Sequence, residues 1–284
     1  GGGVKGITYT LPVASAQVKS CILLATLFAD GTSVVTEPRP TRDHTERLLR
    51  MLGVPVEVKG LCITLKGFGS KGPEWQARSW EIPGDFSSAA YWMVAVAGRE
   101  GAAVTIKNAG LNPRRTALLN VLKRMGAEVD IKPNPRDKAE PAGDITVKGC
   151  RLKGTEVSGD EIPNLIDELP LVAVLGALAE GRTVIRDAAE LRVKESDRIA
   201  TMAANLRLLG VEVEEQADGM TVLGPAKLKA TSSVKSYGDH RIAMAMAVLA
   251  LYMDEPVCIN NIACVETSYP TFWEHLESMG ARAE

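Results

Sequence analysis

Two kinds of helical segment alternate along this chain. In the first kind apolar residues lie nearly all round the helix, as at Leu171, Val172, Val174 and Leu175. In the second kind they repeat on one face only, as at Ile199, Met202, Ala203 and Leu206. A short β-branched strand such as 32–36 lies between the two helices, and two short strands follow the second one. Together these segments predict a βαβαββ unit.

The same order of segments occurs four times, which makes the protein an internal repeat. The predicted first helices cover residues 15–28, 87–97, 165–179 and 240–252, and the second helices cover 43–51, 114–125, 196–209 and 269–279. A glycine follows each second helix, at Gly53, Gly126, Gly210 and Gly280. Glycine in this place suits the left-handed residue that closes a helix.

The first helices are too apolar to lie at the surface, so we expect them inside, with the sheets packed outside them. Loops rich in Pro and Gly at 67–73 and 133–143 separate the units, and residues 82–85 are the candidate crossing between two domains. The fold class predicted is therefore α/β, built from repeated βαβαββ units with inward helices. One unit cannot cover its own helices, so the units must cluster.

Composition removes several classes of function. The formal net charge is −2 and the charges form no basic stripe, which argues against a nucleic-acid enzyme. The longest apolar helix, at 165–178, contains Asp167 and Glu168 and is too short to cross a bilayer. Five scattered cysteines without metal-ligand spacing favour free thiols in a reducing, cytoplasmic compartment and no zinc site.

The candidate chemistry centres on the charged stretch LRVKESDRI at 191–199, which opens onto an apolar helical pattern. Lys194, Glu195 and Arg198 are expected to converge at the mouth of that helix, where free N–H groups and the dipole attract anions. A phosphate or carboxylate ligand beside an acid–base residue would suit this site. The alternative is a solvated helix start with i,i+4 charge pairs.

Two further helix starts carry candidate site residues. Asp167 heads the most apolar helix, where a carboxylate is either an N-cap or a base with a raised pKa. Ser15, Ala16 and Gln17 open another apolar helix, where a hydroxyl and backbone N–H groups suit a phosphate. A plain serine N-cap is the alternative there.

Six motifs resemble the enolpyruvyl transferases, and among them the 5-enolpyruvylshikimate-3-phosphate (EPSP) synthase family. They are LPVASAQVKS at 11–20, TRDHTE at 41–46, PGDFSSA at 83–89, IDELP at 166–170, LRVKESDR at 191–198 and DHRIAM at 239–244. The family fold has two domains, each of three βαβαββ units with helices inward. The resemblance implies that four of six units are here, without roughly the N-terminal third. Residues 1–83 would end the first domain and 84–284 would form the second.

The reaction that the resemblance implies belongs to the shikimate pathway of aromatic amino acid biosynthesis. The enolpyruvyl group of phosphoenolpyruvate is transferred to the 5-hydroxyl of shikimate 3-phosphate, and phosphate is released. Such chemistry needs an acid, a base and several cations, but no metal and no organic cofactor. The expected partners are the two small-molecule substrates and the missing N-terminal half, with neither nucleic acid nor a membrane.

The resemblance also implies a role for each candidate residue. Shikimate 3-phosphate would be held by Ser15, Ala16, Gln17, Arg42, Asp167 and Lys194, and phosphoenolpyruvate by Arg198, Arg241 and Gln17. Asp167 would take the 5-hydroxyl proton, Glu195 would protonate the methylene, and Lys194 would contact hydroxyls or the developing oxyanion. Glu168 and His240 are expected to be structural, and Asp239 to orient an arginine.

Alternative functions remain open from the sequence. One is an inactive or complementing fragment, because residues that grip phosphoenolpyruvate in the family are missing here and an uncovered apolar face would favour association. Another is the sister enzyme acting on UDP-N-acetylglucosamine, which uses a reactive cysteine; Cys21 and Cys62 have no charged neighbour suited to that role. Glu190, His44 and Thr267 resemble the glyphosate-tolerant branch of the family.

Overall fold

The structure is a computed structural model that describes residues 3–77, 79–134, 140–231 and 233–281. Its α-helices are α1 Ala16–Thr26, α2 His44–Met51, α3 Phe86–Ala97, α4 Ala117–Arg124, α5 Leu169–Leu178, α6 Arg198–Leu208, α7 His240–Ala250 and α8 Phe272–Ser278. Its strands are β1 Val4–Lys5, β2 Thr8–Thr10, β3 Ala29–Asp30, β4 Thr32–Thr36, β5 Val56–Lys59, β6 Cys62–Lys66, β7 Ala103–Gly110, β8 Glu128–Pro133, β9 Ala142–Lys148, β10 Glu156–Val157, β11 Gly181–Ile185, β12 Glu212–Gln216, β13 Gly219–Gly224, β14 Ser233–Lys235 and β15 Cys258–Asn260.

Two of the predicted units fold into four-stranded sheets with the same topology. One has the strand order β2-β4-β6-β5 and the other has β10-β11-β13-β12. In each sheet the first two strands are parallel and joined through a helix, whereas the remaining neighbours are antiparallel. The βαβαββ unit expected from the sequence is confirmed.

The other two units are variations on this plan. The second has the order β7-β9-β8, and a parallel bridge between Gly84 and Ala109 stands where the first strand would lie. The fourth contains the parallel pair β14-β15 with α7 and α8. Its expected last strand, 281–284, lies outside the described residues except for Ala281.

Helix ends follow local capping chemistry. The predicted closing glycines, Gly53, Gly126, Gly210 and Gly280, have φ values of 82°, 106°, 83° and 95°. Only glycine adopts these values without strain, so the predicted helix ends are confirmed.

Some helices begin later than their patterns predicted. The helix expected from residue 196 begins at Arg198, because the Asp197 side chain accepts a hydrogen bond from Ala200 N and caps the helix there. The helix expected from residue 165 is preceded by the 3-10 helix Gly159–Asn164, and α5 begins only at Leu169.

In the part of the chain that the structure describes, buried hydrophobic residues form two separate cores. The larger extends from Phe86 to Leu276, and within it α3, α5 and α7 pack against one another with the sheets around them. The smaller extends from Leu11 to Leu65 and belongs to the first unit. Division of the chain into domains at residue 83 stays a prediction. No described helix is long and apolar enough to cross a membrane.

The expectation that every first helix is buried all round is wrong for α1. Helix α5 is buried from Leu169 to Ala177. On α1, by contrast, Leu24 is 47% exposed and Val18 is 40% exposed. The physical reason is that α3, α5 and α7 cover one another, whereas α1 packs against its own sheet.

Candidate functional site

Among the described residues, four arginines surround the carboxylate of Asp167. Arg42 donates a hydrogen bond to Oδ2, and Arg241 Nη2 lies 3.4 Å from the same oxygen. Arg115 Nη2 lies 3.8 Å from Oδ2, and Arg198 Nη1 lies 3.7 Å from Oδ1. The structure therefore brings together three of the arginines that the sequence selected, with the predicted base at their centre.

This arrangement overturns the expected raised pKa of Asp167. Burial by itself would raise the pKa of this carboxyl, but the charges of Arg241, Arg42 and Arg115 and the hydrogen bond from Arg42 outweigh it. They hold the pKa of Asp167 well below its usual range. Asp167 is also not an N-cap, because Glu168 occupies that position of α5.

The site is built where the N-terminal ends of four helices meet. Ser87 is in the first turn of α3, Glu168 precedes α5, Arg198 opens α6 and Arg241 is in the first turn of α7. Arg42 comes from the loop before α2 and so reaches the site from the smaller core. Helix N-termini carry partial positive charge, which adds to that of the arginines and favours an anionic ligand.

A buried hydrogen-bond network next to Asp167 was not predicted from the sequence. Glu168 accepts hydrogen bonds from Ser87 Oγ at 2.6 Å and from Arg115 Nη1 at 2.8 Å. Arg241 Nη1 donates to Ser87 Oγ at 3.1 Å. Glu168 is therefore a structural charge, as predicted. Ser87 lies in one of the six motifs, but no local pattern distinguishes Arg115 from a surface arginine.

Arg198 is the most buried cation of the site. Its side chain is 1% exposed, and Nε donates to Asp239 Oδ2 at 2.8 Å. Asp239 thus orients an arginine, which confirms that prediction. Arg198 also pairs with Glu195, whose side chain is half exposed. Its Nη1 is buried and has no hydrogen-bond partner among the described residues, so a ligand oxygen there would satisfy it.

Lys194 does not converge with Glu195 and Arg198 as the sequence predicted. Its ammonium group pairs with Glu190, four residues earlier, and the two side chains are only partly buried. The reason is local: the 3-10 helix Ala189–Val193 places Glu190 beside Lys194. Contact of Lys194 with a substrate stays a prediction.

Ser15, Ala16 and Gln17 lie at the start of α1, as predicted. Ser15 is the N-cap, and its Oγ accepts a hydrogen bond from Val18 N at 3.3 Å. Gln17 is exposed. The serine hydroxyl therefore caps α1, and the backbone N–H groups of this first turn stay available to an anion. Binding of phosphate by these three residues stays a prediction.

The surroundings of His240, which include Arg241, favour the neutral form of its imidazole. Burial and the charge of Arg241 lower the pKa of its imidazole. A structural role for His240 stays the prediction. In the described part of the chain, no three His, Cys, Asp or Glu side chains come close enough together to hold a metal ion.

Acid should destabilise the protein through this site. Burial by itself would raise the pKa of Asp239, but the hydrogen bond and the charge of Arg198 outweigh that effect. The pKa values of Asp167 and Asp239 are therefore both lowered. Below about pH 4 these aspartates bind protons in the unfolded chain but stay ionised in the folded protein. We expect the free energy of unfolding, measured in urea, to stay constant while the pH is above the pKa of aspartate in the unfolded chain. It should decrease as the pH falls below that value.

The variants Asp167→Asn and Asp254→Asn test the source of this effect. Asp254 is exposed and serves as the matched control. Asp167→Asn should weaken the dependence on pH between about 5 and 2, and Asp254→Asn should leave it as in the parent. Equal acid sensitivity in all three proteins would contradict the assignment.

Comparison with known proteins identifies the family. Residues 1–276 match the family described as EPSP synthase (3-phosphoshikimate 1-carboxyvinyltransferase). The chain belongs to the EPSP synthase family. A 3-phosphoshikimate 1-carboxyvinyltransferase from Akkermansia muciniphila is 54% identical over 275 residues, which are 96% of this chain and 62% of that one. The Bacillus subtilis enzyme of the same name is 46% identical over 283 residues, which cover 100% of this chain and 65% of its own length.

Solved structures agree with the family and the fold. An EPSP synthase from Acinetobacter baumannii superposes with a TM-score of 0.87 at 44% identity, covering 97% of this chain and 63% of that chain. An enolpyruvyl transferase from Streptomyces tendae is 20% identical and has a TM-score of 0.81, which shows the shared enolpyruvyl transferase fold. Against these EPSP synthases the chain spans less than two thirds of their length.

Proposed function

We propose that this chain carries the greater part of the active site of a 3-phosphoshikimate 1-carboxyvinyltransferase. The observation that supports this most is the arginine cluster around Asp167. It includes the buried Arg198 Nη1, for which the described part of the chain supplies no hydrogen-bond partner. Planar guanidinium groups suit carboxylate and phosphate groups, because they form paired hydrogen bonds with both. Phosphoenolpyruvate carries both groups and shikimate 3-phosphate carries both as well.

In the proposed binding mode the two substrates use different parts of the site. Shikimate 3-phosphate binds with its phosphate between the first turn of α1, at Ser15–Gln17, and Arg42. Asp167 and Lys194 meet its hydroxyl groups. Phosphoenolpyruvate binds to Arg198 and Arg241, with Gln17 between the substrates. Ser87 and Arg115 do not touch substrate in this scheme; they hold Glu168 and Arg241 in place.

In the proposed reaction the 5-hydroxyl oxygen bonds to the enol carbon while a proton adds to the methylene. Asp167 accepts the hydroxyl proton, and Glu195 supplies the methylene proton. Loss of phosphate and of one methyl proton from the tetrahedral intermediate then gives the enolpyruvyl ether. Arg198 and Arg241 stabilise the charge of the carboxylate and of the departing phosphate.

Asp167 has to lose part of its arginine shell before it can act as a base. The substrate phosphate competes with Asp167 for Arg42, which is partly exposed and comes from a loop. When Arg42 turns to the phosphate, one of the charges that lower the pKa of Asp167 moves away. Binding of shikimate 3-phosphate thereby prepares the carboxylate for proton transfer.

A second candidate, the complementing fragment, is favoured by the exposed apolar residues of the first unit. On α1 and in the segments on either side of it, the exposed large apolar residues are Val4, Ile7, Tyr9, Val13, Val18, Leu24 and Phe28. An apolar surface of this kind is typical of an interaction site. We propose that the N-terminal part of the enzyme covers it, and that residues 1–83 and 84–284 belong to the first and second domains.

The proposed setting is the cytoplasm. All five cysteines are free thiols. Thiols stay reduced in that compartment, where the small-molecule substrates are also expected.

One pair of measurements tests the proposed function. Calorimetry should detect binding of shikimate 3-phosphate to this chain, with weaker binding of shikimate, which lacks the phosphate. Phosphate release from the two substrates should be slow with the chain alone. It should rise when the N-terminal part of the Bacillus subtilis relative is added, because that part supplies the remaining cations of the site.

Matched arginine variants serve as controls for binding. Arg42→Met should weaken binding of shikimate 3-phosphate about tenfold or more, as expected for a lost charge-assisted contact. Arg50→Met removes an arginine that binds the Val56 carbonyl oxygen, and binding should be unchanged. Failure to bind shikimate 3-phosphate, together with no phosphate release in the mixture, would overturn the proposal.

A further inference from the structure

Lys19 is a fully buried lysine in the smaller core. Its side chain is 0% exposed, and Nζ lies 3.1 Å from Glu37 Oε1 and 2.7 Å from Glu46 Oε1. Both glutamate side chains are also almost completely buried. Three charged groups are thus removed from water, and the loss of their hydration opposes folding before their mutual attraction is counted.

This cluster is poorly suited to a purely stabilising role. Lys19 Nζ lies at ion-pair distance from both glutamates without hydrogen-bond geometry to either, and the buried Glu46 Oε2 has no hydrogen-bond partner among the described residues. Buried ion pairs without a full set of hydrogen bonds contribute little to stability, and apolar side chains of similar size often replace them without loss. The position of the cluster in the fold therefore has to explain it.

The cluster connects the two segments that form the proposed phosphate site. Lys19 N donates a hydrogen bond to the Ser15 carbonyl oxygen at 3.1 Å, which places Lys19 one helical turn after the predicted phosphate residues. Glu37 follows β4 and begins the loop that leads to Arg42. Glu46 lies in the first turn of α2. A single ammonium group thus links α1, this loop and α2.

Contacts continue from Glu37 to the arginine cluster. Thr41 Oγ1 donates a hydrogen bond to Glu37 Oε1, and Arg114 Nη1 donates to the Thr41 carbonyl oxygen at 3.1 Å. Arg114 Nη1 also lies 3.7 Å from Glu37 Oε2. The next residue is Arg42, which donates to Asp167. Displacement of Glu37 would therefore move the backbone that carries Arg42.

We propose that Lys19 is a positioning residue for the phosphate site, which fixes the first turn of α1 relative to Arg42. The inference rests on the proposed function only in taking the bound anion to be the phosphate of shikimate 3-phosphate. Lys19 does not touch the substrate, since its ammonium group is buried under both segments. Its effect is geometric: it sets the distance between the N–H groups of Ser15–Gln17 and the guanidinium of Arg42.

Three variants separate the positioning role from a general effect on folding. Lys19→Met/Glu37→Gln/Glu46→Gln contains no buried charge in this cluster, so it should fold, but the tie between α1 and the loop is gone. Glu46→Gln leaves the pair of Lys19 with Glu37 and therefore keeps the tie. Thr26→Val is the stability control, because it removes a buried hydroxyl that donates to Ser33 Oγ at 2.7 Å in the same core.

The readout is the ratio of the affinities for shikimate 3-phosphate and shikimate, measured by calorimetry on the chain. The triple variant should lower this ratio about tenfold or more, since a misplacement of about 1 Å is enough for a large loss. Glu46→Gln and Thr26→Val should keep the ratio of the parent, whatever their midpoints of thermal unfolding. A folded triple variant with the parental ratio would overturn the inference.

Failure of the proposed function would give a different result. In that case the parent protein itself would show no preference for shikimate 3-phosphate over shikimate, and both proposals would fall together. A parent that prefers the phosphate ester, beside a triple variant with the same preference, would remove only the role of Lys19. A loss of affinity for both compounds in the triple variant would indicate general damage to the site and would also contradict the positioning role.

Discussion

Glu195→Gln is expected to abolish most of the turnover while leaving substrate binding nearly intact. A general acid contributes about 10²–10⁴-fold to the rate, and an amide of the same shape cannot supply the proton. Glu195 is half exposed and pairs with Arg198, so its carboxylate can reach a ligand held by that arginine. The measurement is kcat and KM for both substrates in this chain extended by the N-terminal part of the Bacillus subtilis relative.

The division between kcat and KM decides this prediction. A residue that acts in the transition state should lower kcat with little change in the affinity for shikimate 3-phosphate. Glu214→Gln is the matched control, because Glu214 is an exposed glutamate of β12 near Arg182. Normal kcat in the Glu195 variant would exclude Glu195 as the acid, whereas a rise in KM alone would make it a binding residue.

Arg198→Met should be the most destabilising substitution in the site. It leaves the fully buried carboxylate of Asp239 without its counterion, although Ser196 Oγ and Arg241 N still donate to it. Removal of one partner of a buried ion pair costs about 3–5 kcal/mol. Unfolding in urea at pH 7 would measure this loss, and the chain should also lose its affinity for phosphoenolpyruvate.

Arg207→Met provides the comparison on the same helix. Arg207 is about half exposed and donates to the Val213 carbonyl oxygen, so its loss should cost about 1 kcal/mol or less. The double variant Arg198→Met/Asp239→Asn should recover part of the stability, because it removes the unpaired charge and keeps a capping side chain on α7. Equal destabilisation by Arg198→Met and Arg207→Met would contradict the assigned role of the buried pair.

In the proposed mechanism, the arginine cluster lets one site combine the partly buried carboxylate of Asp167 with anionic substrates. In the free protein the negative charge of Asp167 lies between four guanidinium groups and offsets their mutual repulsion. A ligand with a phosphate and a carboxylate can replace that charge. The same exchange frees Asp167 for proton transfer, so binding and the preparation of the base are one event in the proposed mechanism.

Local pattern in the sequence determined the repeat and most of its elements. Strand β4 was predicted to the residue, and the glycines that close the second helices have the left-handed backbone expected of them. These features follow from the periodicity of apolar side chains and from capping, which act over a few residues. The resemblance of six short motifs added the candidate residues of the site.

Tertiary structure alone decided the environment of those residues. Asp167 has a lowered rather than a raised pKa because arginines from positions 42 to 241 meet around it, and Arg115 joined the site without any local signal. Helix α1 kept an exposed apolar side. Each outcome depends on which distant side chains come within a few ångströms. The sequence by itself therefore determined the repeat and proposed the candidate site residues, whereas the charge state and contacts of those residues came from packing.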